Sequence, residues 1–220
     1  MGYAQLLRLD DELEAELLQE SVEAIERSGN YLLTLINDIL EISKMETGQI
    51  ELYPAEFYLE KFLKELVGIF QQRAKEKGLN FIDQSLVNLP TTIYIDKKRL
   101  RQILINLLSN AVKFTQQGSI TFKVELLAND RLPMPHYLIR FQVEDTGIGI
   151  ADENLKKILL PFEQVSDWKN KSAGAGLGLF LTKQLVNMMG GKLHIESTVD
   201  KGSLFEIILN LPQADTEIIE

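Results

Sequence analysis

The chain has 220 residues, no cysteine, and 32 acidic against 23 basic side chains, for a net charge of −9. Without cysteine there is no disulfide, no thiolate nucleophile and no cysteine metal site. With an acidic balance and no Lys/Arg stripe to neutralise a run of phosphates, nucleic acid is not expected as a partner. An apolar share of 45 % suits one large or two small globular units. A polyphosphate could be held only locally, by backbone amides, a metal ion and one or two lysines.

No run approaches the roughly 18 apolar residues of a membrane span, and the N-terminus lacks a charged-then-apolar leader. A cytoplasmic stretch without membrane contact is therefore expected. Residues 3–9 already read as helix with no cap before them, which predicts a piece cut from a longer protein.

From Asp11 to Met45 the pattern is one long helix. Its apolar residues Leu18, Val22, Ile25, Leu32, Ile36 and Ile39 recur at steps of four and three, with Gly29 filling the missing step. This is a heptad seam, capped by Asp10 and Asp11 and ended by Thr47-Gly48. It suits either a dimerising coiled coil or half of a helical hairpin with a shortened first helix, and the break at Leu9-Asp10-Asp11 favours the hairpin. Gln49 to Pro54 reads as a short edge strand closed by proline, with a domain boundary beside it.

A second domain follows. The pattern predicts a helix from Leu59 to Lys77 ending at Gly78, strands over 79–83 and 92–95, and a helix from Lys97 to Gln116 capped by Asp96. Residues 120–127 and 137–143 form a predicted antiparallel pair, the second alternating Tyr137, Ile139, Phe141 and Val143 inward. After Asp145-Thr146-Gly147-Ile148-Gly149 come a short helix capped by Asp152, an irregular stretch from Pro161 to Ala175, a helix from Gly176 to Met189, and a hairpin, 192–197 with 203–209. Mixed helices and antiparallel strands predict an α+β chain, with an α/β sandwich of a sheet under helices. Residues 213–220 form an acidic tail.

Three stretches could carry chemistry. Asn106 and Asn110, four apart, share a helix face with Lys113, and Phe114 lies beside them. Leu100, Ile103, Leu104, Leu107, Leu108 and Ala111 take the buried face, so the amides stand at the core's edge. An amide oxygen there suits a hard cation such as Mg²⁺, or the amides simply bond to neighbouring backbone. At Asp145 a strand ends beside Gly147 and Gly149, which permit positive φ and close backbone approach; alone, such a run is an ordinary turn. In Ser172-Ala173-Gly174-Ala175-Gly176-Leu177-Gly178 three glycines lead into a helix whose N-terminal amides suit a phosphate. No Gly-Lys-Ser/Thr follows, so it is not a Walker A loop. The preceding stretch, with Trp168, Lys169 and Lys171, looks like a movable lid.

Taken in order, with Phe162 between the second and third, these stretches resemble the catalytic core of a two-component sensor histidine kinase. Asn106 to Phe114 match its N box, Asp145 to Gly149 its G1 box, Phe162 its F box and Gly174 to Gly178 its G2 box. The resemblance continues through Gly190-Gly191-Lys192 and Lys201-Gly202-Ser203-Leu204-Phe205. It extends back through Leu32 to Lys44, which resemble a second dimerisation helix. It implies a truncated dimerisation hairpin over 1–48, an ATP-binding domain over 49–212, and ATP with Mg²⁺ as ligands. It implies that Asp145 accepts a hydrogen bond from the adenine amino group, that Gly147 and Gly149 let the loop close on the base, and that Asn106 and Asn110 hold Mg²⁺. Lys113 would contact a phosphate and Phe114 line the pocket. Gly174, Gly176, Leu177 and Gly178 would supply amides, and Phe162 would anchor the lid. Further implied partners are a phosphoacceptor histidine helix, a response regulator receiver domain and a second copy joined through residues 11–45.

The sequence departs from that pattern in its nucleophile. Its two histidines are His136 and His194, neither on a dimerisation helix and both expected to be structural, so the chain should bind ATP without labelling itself. Ala173 and Ala175 stand where the family commonly has glycine and a hydroxyl, which bears on affinity. Met188-Met189 read as core filling. One rival reading is an ATPase like those of type II topoisomerases, mismatch-repair proteins or Hsp90; these activate water with a glutamate at the position of Asn106, and an amide cannot be a general base. The other is a degenerate module that has lost nucleotide, against which Asp145, Asn110, Gly147 and Gly149 stand intact.

Overall fold

The computed structural model describes residues 15–85, 88–130, 136–163 and 176–212. The chain divides into two compact units, Met1–Ile50 and Glu51–Glu220.

Within the first unit, α1 (Ala15–Glu46) runs for 32 residues. It ends as the heptad reading expects: Gly48 adopts φ +65° and its N–H donates to the Met45 carbonyl at 3.0 Å, an αL stop that an L side chain would strain. The seam residues Leu18, Val22, Ile25, Leu32, Ile36 and Ile39 are exposed. The first part of the expected helix, with its caps at Asp10 and Asp11, lies outside the described residues.

The second unit is built on a five-stranded sheet of order β2-β4-β5-β7-β6. Its strands are β2 (Asn80–Gln84), β4 (Ser119–Asp130), β5 (His136–Asp145), β6 (Lys192–Thr198) and β7 (Gly202–Pro212). β2 lies parallel to β4, and the other neighbours are antiparallel. Three helices, α2 (Leu59–Glu76), α3 (Lys97–Phe114) and α5 (Gly178–Met188), pack on the sheet. Alternation decides which face they cover. Phe122, Val124, Ile139, Phe141, Val143, Ile207 and Leu209 point one way and are buried. Arg140, on the opposite face, bonds Glu125 and lies 3.5 Å from Glu206, which accepts from Gln142 at 2.9 Å. One face is apolar under helices and the other is a satisfied polar surface. β1 (Ala55–Tyr58) pairs with β3 (Thr92–Ile95) in a separate ribbon.

Several boundaries differ from the sequence expectation, each for a local reason. The predicted edge strand over 49–54 is not a strand; pairing begins after Pro54, at Ala55 opposite Ile95. The Tyr53 N–H donates instead to Asp96 Oδ2 at 2.9 Å. Asp96 caps α3 as expected, its Oδ1 accepting from the Arg99 N–H at 3.0 Å, so one buried carboxylate ties both segments. Helix α3 stops at Phe114 rather than Gln116, because Thr115 turns extended and its hydroxyl takes the Ala111 carbonyl at 2.8 Å. Asp152 opens α4 (Asp152–Leu155) rather than capping it; the cap position is Ala151. Helix α5 starts at Gly178, since Gly176 at φ +71° cannot be helical. Met188 is exposed and Met189 half-buried, so Met188 does not fill the core as expected: it lies at the solvent side of the last turn of α5.

Candidate functional site

The last residue of β5 is Asp145, only 6 % exposed. Its Oδ1 accepts the Gly147 N–H at 2.8 Å, and the Ser203 backbone N–H also donates to it. Burial pushes its carboxyl above the ordinary aspartate range, the two N–H donors oppose that, and Glu144 adds to it. The result is a desolvated acceptor fixed at a strand end.

The loop after it is clamped from two sides. The Ile148 N–H donates to the Phe114 carbonyl at 3.4 Å, and the Asp200 N–H, in the β6–β7 turn, donates to the Ile148 carbonyl at 2.8 Å. Gly149 has φ +65°, and a Cβ there would lie 2.0 Å from the Thr198 carbonyl oxygen. Any side chain would push the loop off the hairpin. Gly147 does not use positive φ; it is hemmed by the Phe114 carbonyl and Asp145. The Ile150 N–H donates to Ser197 Oγ at 2.8 Å, and that hydroxyl donates to the Gly202 carbonyl at 2.9 Å.

Helix α3 presents the amides as its spacing predicts. The six expected apolar residues, Leu100 to Ala111, are buried, and Asn106, Asn110, Lys113 and Phe114 are half-buried at the edge. Asn106 Nδ2 donates to Thr182 Oγ1 on α5 at 2.8 Å. Its Oδ1 faces Gly178, where a Cβ would lie 2.3 Å away. Among the described residues, the Asn110 side chain has no hydrogen-bond partner. The Lys113 ammonium lies 5.0 Å from the Phe114 ring centroid, and burial holds its pKa below the ordinary lysine range.

The three expected stretches thus meet: α3 touches the 145–149 loop through Phe114 and the start of α5 through Asn106. In the glycine-rich stretch, Leu177 is fully buried, so its side chain belongs to the core and only its backbone faces the helix start. Gly176 sits against the Glu163 carbonyl. Phe162 is 63 % exposed with φ +64°; its backbone, not its ring, meets Gly176. Gly174, Ser172, Ala173, Ala175, Trp168, Lys169 and Lys171 lie outside the described residues. His136 opens β5 and His194 lies in β6, where it contacts Glu196 at 3.0 Å. Two contributors went unread in the sequence: Thr182, a lone hydroxyl on a helix face with Leu181, Leu185 and Val186, and Ser203, whose value lies in a backbone N–H.

The amide oxygens fit a hard cation in kind. Among the described residues no group of three or more histidine, cysteine or acidic side chains could hold a metal. The buried Asp145 fits a donor on a flat ligand, and the N-terminus of α5 fits an anion.

Comparison with known proteins identifies the family. Residues 95–213 match the model of histidine kinase-, DNA gyrase B- and HSP90-like ATPases, and residues 1–48 match the His Kinase A phospho-acceptor domain. The chain is 41 % identical over 195 residues to hybrid signal transduction histidine kinase B of Dictyostelium discoideum, covering 87 % of this chain and 10 % of that protein. It is 36 % identical to the autoinducer 2 sensor kinase/phosphatase LuxQ of Vibrio vulnificus, covering 99 % of this chain and 25 % of that one. Full-length ShkA in complex with AMPPNP superposes with a TM-score of 0.75 at 32 % identity, over 92 % of this chain and 40 % of that chain. The chain thus spans a quarter or less of these curated relatives. On these matches, and on the meeting of α3, the 145–149 loop and α5, the chain belongs to the histidine kinase-, gyrase B- and HSP90-like ATPase family, as a sensor histidine kinase catalytic core.

Proposed function

We propose that this chain binds ATP with Mg²⁺ and transfers the γ-phosphoryl group of ATP to a histidine on a dimerisation helix, with ADP leaving, and that a response regulator receiver domain then takes the phosphoryl group from the histidine. The observation that carries this reading is Asp145, a buried carboxylate held by the Gly147 and Ser203 N–H groups beside a glycine loop. It would accept from the adenine amino group, with Phe114 lining the pocket. Lys113 and the N–H groups at 176–178 would meet the phosphates, joined by Gly174. Phe162 would mark one end of the lid, and Gly147 and Gly149 would let the loop close on the base. Asn106 and Asn110 would offer their amide oxygens to Mg²⁺. When bound, that ion would neutralise charge developing on the transferring phosphoryl group. No side chain here attacks phosphorus; this chain's residues bind, orient and screen.

Residues 1–48 contain no histidine, so the acceptor is supplied by another segment. In a cytoplasmic setting the chain would pair with a second copy through residues 11–45. Calorimetry with ATP and Mg²⁺ tests the donor reading. Asp145→Asn should weaken binding by about 1.5–3 kcal/mol, roughly ten- to hundredfold. Radiolabelled ATP should leave no acid-labile phosphate on the chain alone. Unchanged affinity in Asp145→Asn would remove the adenine role.

A further inference from the structure

Thr182 is one of few polar residues buried in this unit, at 2 % exposure, and the phosphoryl chemistry above makes no use of it. It lies on α5 one turn after Gly178, so the two positions share a helix face. The Asn106 amide lies along that face. Nδ2 donates to the Thr182 hydroxyl at 2.8 Å, and Oδ1 lies where a Cβ on Gly178 would come within 2.3 Å. The two ends of a primary amide have nearly the same shape and opposite chemistry, one donating and one accepting. Steric fit alone therefore leaves the amide free to turn over. A hydroxyl both donates and accepts, so Thr182 anchors one end of the amide on α5, and the partial positive charge at the N-terminus of that helix favours the oxygen at the other end.

We infer that Thr182 is a positioning residue: its hydroxyl holds Asn106 with the oxygen toward the N-terminal end of α5, where a cation accompanying the polyphosphate needs a ligand. This rests on the reading of Asn106 as a cation ligand. Gly178 supplies the space and Thr182 the anchor. Without the hydroxyl, the Nδ2 group loses its partner on α5, and the amide is free to swing its oxygen away from the place where the cation needs it. The loss would fall on cation affinity, not on adenine recognition, because Asp145 and its loop touch neither Thr182 nor Gly178 through any hydrogen bond in the described residues. Losing an outer partner of a metal ligand typically costs roughly ten- to hundredfold in metal affinity.

The experiment uses the whole chain and the non-hydrolysable analogue AMPPNP, titrated calorimetrically with Mg²⁺ and with EDTA, and Mn²⁺ binding followed by electron paramagnetic resonance. Thr182→Val keeps the shape and removes the hydroxyl; Thr182→Ala removes it without the branch; Thr182→Ser keeps it. The valine and alanine variants should lose roughly tenfold or more of the Mg²⁺-dependent gain and of Mn²⁺ affinity, with EDTA affinity unchanged, and serine should restore both. A full Mg²⁺ gain in valine and alanine overturns the assignment. So does an equal loss with Mg²⁺ and with EDTA that serine fails to rescue, which marks Thr182 as packing only. Asn106→Ala separates the two readings: if it too retains the full gain, the cation role of Asn106 fails; if it loses the gain while Thr182→Val keeps it, only the Thr182 assignment fails.

Discussion

Asp145 meets two opposed demands. Burial favours its protonated form, and the proposed adenine contact needs the ionised oxygen. Because its pKa in the fold is raised, the carboxyl takes up its proton at a higher pH than an exposed aspartate would. ATP affinity should therefore fall as pH drops from neutral through that raised value. The folding sign is the reverse: between the unfolded and folded pKa values the native chain binds more protons, so stability falls as pH rises through that window and is flat above it. Affinity measured from neutral to mildly acidic pH should show an acid limb in the native chain that Asp145→Asn lacks. The ionisation of ATP itself is common to both proteins and cancels in the comparison. Identical limbs would mean that Asp145 does not contact the base.

Helix α3 joins the amide face to the 145–149 loop, and its end is held from outside. The Lys77 ammonium, just past α2, donates to the Val112 and Lys113 carbonyls at 2.6 and 2.9 Å. These are among the last carbonyls of α3, which have no helical partner, and a cation suits that end of the dipole. Lys77→Met should cost about 1 kcal/mol, read as a melting temperature lower by about 2–4 °C; an unchanged melt would show the contact to be idle. What the sequence made legible follows from this contrast. The buried side of α3 and the inward side of β5 are set by periods of 3.6 and 2 within one segment, so Leu100 to Ala111 and Ile139 to Val143 could be read directly. Lys77 over α3, Thr182 against Asn106 and Ser203 on Asp145 join segments distant in sequence, and no local period encodes them. Boundaries failed where a single contact overrode the pattern, as the Thr115 hydroxyl does at the end of α3. The Asp145, Gly147 and Gly149 loop was legible because a strand end and two glycines lie next to each other in the chain. The adenine role assigned to it came only with the resemblance.

At the scale of the whole molecule, the two units solve the burial problem differently. The second covers its apolar sheet face with its own helices. The first leaves Leu18, Val22, Ile25, Leu32, Ile36 and Ile39 between 41 and 57 % exposed along one helix. Apolar residues at steps of four and three form a seam that fits a copy of itself, and a two-fold axis brings each residue near its own mate. Burying one such side chain stabilises by about 1.5–3 kcal/mol, so the seam as a whole can hold two chains together at micromolar concentration. An aspartate in its middle removes that burial on both chains and brings like charges together. Ile36→Asp should therefore shift the sedimenting species from two chains to one. ATP affinity should be unchanged, because Ile36 belongs to Met1–Ile50 and the proposed nucleotide residues to Glu51–Glu220. A native chain that sediments as one copy at all concentrations would mean that the seam is satisfied within a single molecule. A loss of affinity in Ile36→Asp would mean that nucleotide binding depends on the helical unit as well as on the sheet.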